Sequence, residues 1–346
     1  MKWACYILMI LFFSCKKDKP PVRPIQNTNT SSNTSNNRIL VSNEGTFNYS
    51  NSSVSAINTK DNSVIEDLYK QSNQSSLGDV LQSITFYGDY AYLAVNNSNK
   101  IEVVRSNDFK RVATITNLSS PRYLLPVSNN KAYVTDLYAN QISIINLNTN
   151  IKTGTIPCKG WTENLILLNN MVYVTNYHSD YLYVINPTTD LISDSILISK
   201  GAQSIVADKN NNVWIGCSSD QFNQFYGALY CINPITKQMV FRYTPGNYNF
   251  NADDLIIDQN GENIYYSNHS LYKQNIYSSN INSTPLVKYN GRNIYGFNID
   301  FSSNTLYLCD ARDFVQRGQL IKINLSNGAL TDSINVGISP NMVYFK

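Results

Sequence analysis

Two histidines, His178 and His269, are the only imidazoles in this 346-residue chain. Nucleophilic catalysis needs a base with an orienting partner and a nucleophile within hydrogen-bond reach. No motif surrounds either histidine; each follows a short apolar run that ends in Asn, which reads as a surface loop. Asp136, Asn176, Asn268 and Asp310 end equivalent runs and would have to converge to make a metal quartet; their repetition reads instead as a structural rim. The stretch from Asp208 to Asn212 opens like a calcium loop. It lacks the glycine at the sixth place and the glutamate at the twelfth, where Ser219 stands. A hairpin turn is the better reading there, and at Asp258 to Asn263. No catalytic residue, metal or cofactor is assigned on these grounds.

Of six cysteines, Cys5 and Cys15 fall in the first fifteen residues, leaving Cys158, Cys217, Cys231 and Cys309 in the rest of the chain. Without C-x-x-C spacing they do not make a zinc site. Cys217 and Cys231 flank one hairpin but do not fall directly opposite, so four free, buried thiols are expected.

The elements that position these residues come from a repeat. An aromatic residue opens an apolar run at Tyr92, Tyr133, Tyr173, Trp214, Tyr265 and Tyr307, with Leu40 in the same place in the first copy; the intervals are 52, 41, 40, 41, 51 and 42 residues. A second alternating run follows each anchor, as in ISIIN or LYVIN, and an apolar run such as LQSITF precedes each later one across a polar turn. Runs of four to eight residues rich in Val, Ile, Tyr and Leu, separated by Asn, Gly and Asp, are strands. Seven copies of four strands predict an all-β, seven-bladed propeller over residues 38–346. The last segment, ISPNMVYFK, matches an innermost strand after which the chain stops, and RILVSN lacks such a strand before it. The C-terminal strand should therefore close the first blade and remove an exposed edge. The once-per-blade aromatics read as packing between blades.

Residues 1–14 have the pattern of a signal peptide: Lys2, then an apolar stretch from Trp3 to Phe13 too short to span a bilayer. FFSC at 12–15 resembles the lipobox of bacterial lipoproteins, which implies cleavage before Cys15 and acylation of that cysteine. Residues 15–37 read as the lipidated cysteine and a disordered tether. The 22 residues after Cys15 would reach ~75 Å when fully extended. Once Lys2, Lys16, Lys17, Lys19, Arg23 and Asp18 are set aside, 22 basic residues face 23 acidic ones. A near-neutral domain without a basic stripe argues against nucleic acid as a partner. The basic tether residues suit anionic headgroups.

In a propeller the loops from second to third strand, and from each blade to the next, share one face. Here those loops vary while the opposite turns stay short. They carry the candidate ligand-binding residues Glu44, Phe47, Tyr49, Tyr138, Trp161, Tyr177, Phe222, Phe225, Tyr226, Tyr248, Phe250, Arg312 and Phe314. Aromatic planes with a few directed polar groups suit a concave recognition surface.

YVTN at 173–176 is similar to the signature of YVTN-repeat, YncE-like propellers. The opening ILVSNEGTFNYSNSSVSAIN resembles the first blade of propeller lipoproteins of Bacteroidota. Some relatives in that group capture cobalamin at the cell surface for a TonB-dependent transporter. The resemblance thus implies a lipoprotein anchored to the outer membrane and exposed at the surface, binding cobalamin or another corrinoid, with a TonB-dependent receptor as partner and no enzymatic activity. The residues alone leave two other classes open: a propeller enzyme of lactonase or lyase type, and a protein-binding or adhesive scaffold.

Overall fold

The computed structural model describes residues 38–346; the leader, the lipobox cysteine Cys15 and the tether lie outside the described residues. Seven four-stranded antiparallel sheets form a seven-bladed β-propeller. The innermost strands are Pro340–Phe345 in blade one, then Leu81–Tyr87, Pro121–Ser128, Thr162–Leu168, Ala202–Ala207, Leu255–Ile257 and Ile294–Asp300 in blades two to seven. In blade one the C-terminal strand pairs with Arg38–Asn43, placing Leu40 opposite Tyr344 and Val41 opposite Val343. The ring is closed by the last strand of the chain, as the repeat predicts.

All seven sequence anchors sit on the second strand of a blade and are buried. Tyr92 packs against Leu124, Ala132 and Val134 of the next blade, and Trp214 against Leu255 and Ile256. These aromatics fill the wedge between twisted sheets, where a large flat side chain buries most area per position. Burial pushes the phenols of Tyr92, Tyr265 and Tyr307 up to about 12. The Tyr133 hydroxyl donates to Asp190 of the following blade.

The two long anchor intervals have different causes. After blade one, whose outer strand is only Val64–Ile65, the helix Leu68–Asn73 buries Leu68 and Tyr69; the Asp67 side chain caps it by accepting from the Lys70 N–H at 3.0 Å. In blade five the extra length lies in two loops, 218–227 and 244–254. Gly227 lets those loops meet, because a Cβ there would fall 1.8 Å from the Phe250 carbonyl oxygen.

The Asp208 turn is a hairpin: its carboxylate accepts from the N–H groups of Asn210 and Asn212, both at 2.9 Å, and from the Trp214 indole at 3.0 Å. Cys158, Cys217, Cys231 and Cys309 are free and buried. Cys217 pairs across the sheet with Ala228, and Cys231 with Trp214, so the two thiols are not opposite each other. Burial raises the Cys158 and Cys217 thiols to about 12.

Candidate functional site

In six of the seven blades, pairing of the innermost strand skips residues at one equivalent place near its start. The skipped residues are Gln82, Arg122 with Tyr123, Glu163 with Asn164, Gln203, Tyr295 and Asn341. A bulge re-aims a side chain that the pleat would otherwise direct into the sheet face. Here it brings polar groups from different blades together. Arg122 holds Glu163 through two bonds, Nε to Oε2 at 2.9 Å and Nη2 to Oε1 at 2.6 Å, and donates to Gln82 Oε1 at 2.6 Å. The Trp161 indole also donates to Glu163, and the Arg122 guanidinium lies 5.3 Å from the Trp161 ring. Glu44 accepts from Tyr295 at 2.9 Å and from Asn341 at 3.0 Å. Across these blades most of the inner ring is satisfied from within, as buried polar groups generally are, with Asn164 Nδ2 an exception.

The sector formed by blades five, six and seven is different. There a cavity of about 570 Å³ opens on the loop face, floored by Gln203, Ser218 and Asp253 and walled by Asn251, His269, Tyr289 and Arg292. Ser218 Oγ bridges the floor, lying 3.1 Å from Gln203 Oε1 and bonded to Asp253. Asn251 Oδ1 accepts from the Ser219 N–H and hydroxyl, both at 2.8 Å. Tyr289 donates to Ser267 at 3.1 Å, and burial raises its phenol far above the usual range. Arg292 donates through Nη1 to Asp310 at 3.2 Å, and Asp310 also holds the Arg312 N–H.

The residues expected to bind ligand divide into two groups. Phe47, Tyr49, Tyr138, Phe222 and Tyr226 are exposed on the loop face, with Phe222 at 88% and Tyr49 at 73%. Tyr226 and the half-buried Tyr248 form a pair with ring centres 4.7 Å apart. Half-buried Arg312 and Phe314 lie at blade seven, where Phe314 meets Tyr295 edge-on. The other group is buried. Trp161, Tyr177 and Phe225 pack together beside Leu137, and Glu44 belongs to the inner ring. Phe250 packs in the core against Tyr243 and Tyr266. Tyr177 also lines the cavity, whereas the other four shape or support the face rather than present a free surface, because loop side chains that reach inward bury more apolar area than solvent contact allows.

His178 and His269 are exposed loop residues, as expected. Asp136, Asn176, Asn268 and Asp310 act as a rim: Asp136 accepts from four loop N–H groups, those of Ser119, Ser120, Tyr138 and Ala139. Among the described residues no three His, Cys, Asp or Glu side chains are grouped to hold a metal ion. The cavity residues Asn251, Asp253, His269, Tyr289 and Arg292 lie on the loops that lead into, within and out of blade six. No local pattern links them; the only sequence signal is the polar residue that precedes each innermost run.

Closed ring, self-bonded inner polar shell and one open polar sector together define a seven-bladed propeller with an accessible loop face. The chain belongs to the family described as DUF5074, a domain of unknown function, whose profile matches residues 37–345. No curated protein matches the sequence. A quinonprotein alcohol dehydrogenase-like protein of Bacteroides thetaiotaomicron superposes with a TM-score of 0.69 at 14% identity, over 90% of this chain and 78% of that one. A 6-phosphogluconolactonase-like protein of Bacteroides fragilis gives 0.66 at 12% identity, over 92% and 99%. A functionally unknown protein of Desulfotomaculum acetoxidans gives 0.67 at 10% identity, over 89% and 98%. At these identities the likeness is one of fold.

Proposed function

We propose that this chain is an exported capture protein, anchored by lipid at Cys15 to a bacterial outer membrane, that binds a corrinoid on its loop face for a TonB-dependent transporter. The observation that carries the binding reading is the juxtaposition on one face of exposed aromatics with a polar cavity. A corrin is a broad, semi-flat macrocycle with amide arms. Exposed Tyr and Phe rings suit its apolar plane, and the carboxylate, amide and guanidinium groups of the cavity suit its arms. The anchor and the surface location rest on the lipobox and on the resemblance of the first blade.

Two substitutions test the two halves of this reading. Cys15→Ser is expected to abolish acyl labelling and release the protein from the membrane fraction, since residues 16–37 contain no apolar stretch able to span or coat a bilayer. Persistence of the variant on salt-washed membranes contradicts the anchor. Tyr226→Ala is expected to weaken cyanocobalamin binding by ~2 kcal/mol in calorimetry while leaving the melting temperature unchanged, because this ring is exposed at a contact surface. Trp161→Ala should instead lower the melting temperature, because its ring lies in a buried cluster. Unchanged cyanocobalamin affinity in Tyr226→Ala removes that ring from the contact, and no heat with the unaltered protein removes the corrinoid.

A further inference from the structure

Buried carboxylates elsewhere in this fold are met by donors or by a cation: Asp136 by four N–H groups, Asp208 by two N–H groups and an indole, Glu163 by Arg122. Asp79 is met on one oxygen only. It lies on the loop face where blade one leads into blade two, and it is 4% exposed. Its Oδ2 accepts from the Asn48 N–H at 2.8 Å and from Asn97 Nδ2 at 2.6 Å. Its Oδ1 is buried and meets no donor among the described residues, and Asp79 forms no ion pair there with a Lys, Arg or His. A carboxylate held away from water needs its charge met as well as its lone pairs.

The groups around Asp79 are those a hard cation takes. Asn97 Nδ2 stands between Asp79 Oδ2 and Asn48 Oδ1, the latter 3.0 Å away, so a carboxylate and a carbonyl oxygen from separate loops converge on one point. An amide nitrogen supplies the only positive partial charge there. Turning over the exposed Asn97 amide would present its Oδ1 instead, and the Ser98 hydroxyl, which accepts from the Asp79 N–H at 2.9 Å, lies close by. Oxygen donors of mixed kind on adjustable loops suit Ca²⁺, which takes about six to eight of them, better than Mg²⁺ with its strict octahedron. We propose that Asp79, with Asn48, Asn97 and waters, binds Ca²⁺ between loop 44–52 and segment 78–80. With a single carboxylate the site is of modest affinity, in keeping with the absence of grouped acidic side chains among the described residues. Asn48 stands between the exposed rings of Phe47 and Tyr49, so the ion would fix both rings on the loop face. The site does not depend on which ligand that face binds.

Thermal melts of the full chain in EDTA and in calcium chloride test it. With a dissociation constant of ~1 mM, about 10 mM Ca²⁺ should raise the melting temperature by ~2 °C or more. Asp79→Asn, which keeps an oxygen for the Asn48 N–H, should show no such rise. Terbium, a luminescent substitute for Ca²⁺, gives a second readout that needs no change at Asp79. Its emission, sensitised by the neighbouring Tyr49, should fall when Ca²⁺ is added and should dim in Tyr49→Phe, a change at an exposed ring that leaves the fold alone. No rise in the unaltered protein, a rise of equal size in Asp79→Asn, or terbium emission that ignores Tyr49→Phe would overturn the site. None of these outcomes involves cyanocobalamin, so the corrinoid reading stands or falls separately.

Discussion

Removal of residues 340–346 is expected to unfold the propeller, whereas removal of residues 16–37 should leave its melting curve nearly unchanged. The last strand buries Met342, Val343 and Tyr344 almost completely. At ~1.5–3 kcal/mol for each buried side chain, these three contribute ~5–9 kcal/mol. That is comparable with the entire net stability of a typical domain, ~5–15 kcal/mol. The same truncation removes Asn341, which donates to Glu44 and to the carbonyls of Leu81 and Gln82 in the next blade at 3.0–3.2 Å. It also leaves Arg38–Asn43 as an unpaired edge, a template for aggregation. Circular dichroism melts of the two truncations decide the matter. Equal melting temperatures would mean that the ring does not depend on this closure.

The second large effect is expected at the buried ion pair of the inner ring. Arg122→Ala should cost ~3–5 kcal/mol, because it leaves the Glu163 carboxylate buried without its guanidinium partner. Both side chains are essentially inaccessible, at 0% and 1% exposure, so water cannot substitute. The double variant Arg122→Met/Glu163→Leu should be more stable than Arg122→Ala alone, since it removes both charges and keeps apolar volume. Chemical denaturation of the three proteins separates the alternatives. A loss below about 1 kcal/mol in Arg122→Ala would show that the pair is solvated or that Glu163 finds another partner.

The repeat was legible because the same physical demand recurs at each blade. A large aromatic is needed wherever neighbouring sheets splay, so Tyr92, Tyr133, Tyr173, Trp214, Tyr265 and Tyr307 mark the blades directly. The closing strand was legible for a related reason: an innermost strand at the C-terminus matches a vacancy at Arg38. The helix Leu68–Asn73 was not visible, since six residues carry too little periodicity to separate a helical turn from a loop. The inner ring was hidden by its bulges. Alternation along a strand assigns Gln82, Arg122 and Glu163 to a face, but an extra residue per strand redirects them, and only pairing reveals it. Trp161, expected on the loop face, belongs instead to a buried network. The cavity was hidden for another reason: Asn251, Asp253, His269 and Arg292 stand on three separate loops around blade six and meet only when that blade folds.

Hydrogen–deuterium exchange of the full chain with and without saturating cyanocobalamin tests the central claim most directly. A ligand seated on the loop face should slow exchange in segments 218–227, 244–254 and 289–293, which surround the cavity and the Tyr226–Tyr248 pair. The short turns of the opposite face, such as 129–130 and 169–170, should exchange as before. Protection confined to that opposite face, or no protection anywhere at a concentration where calorimetry saturates, would contradict the account.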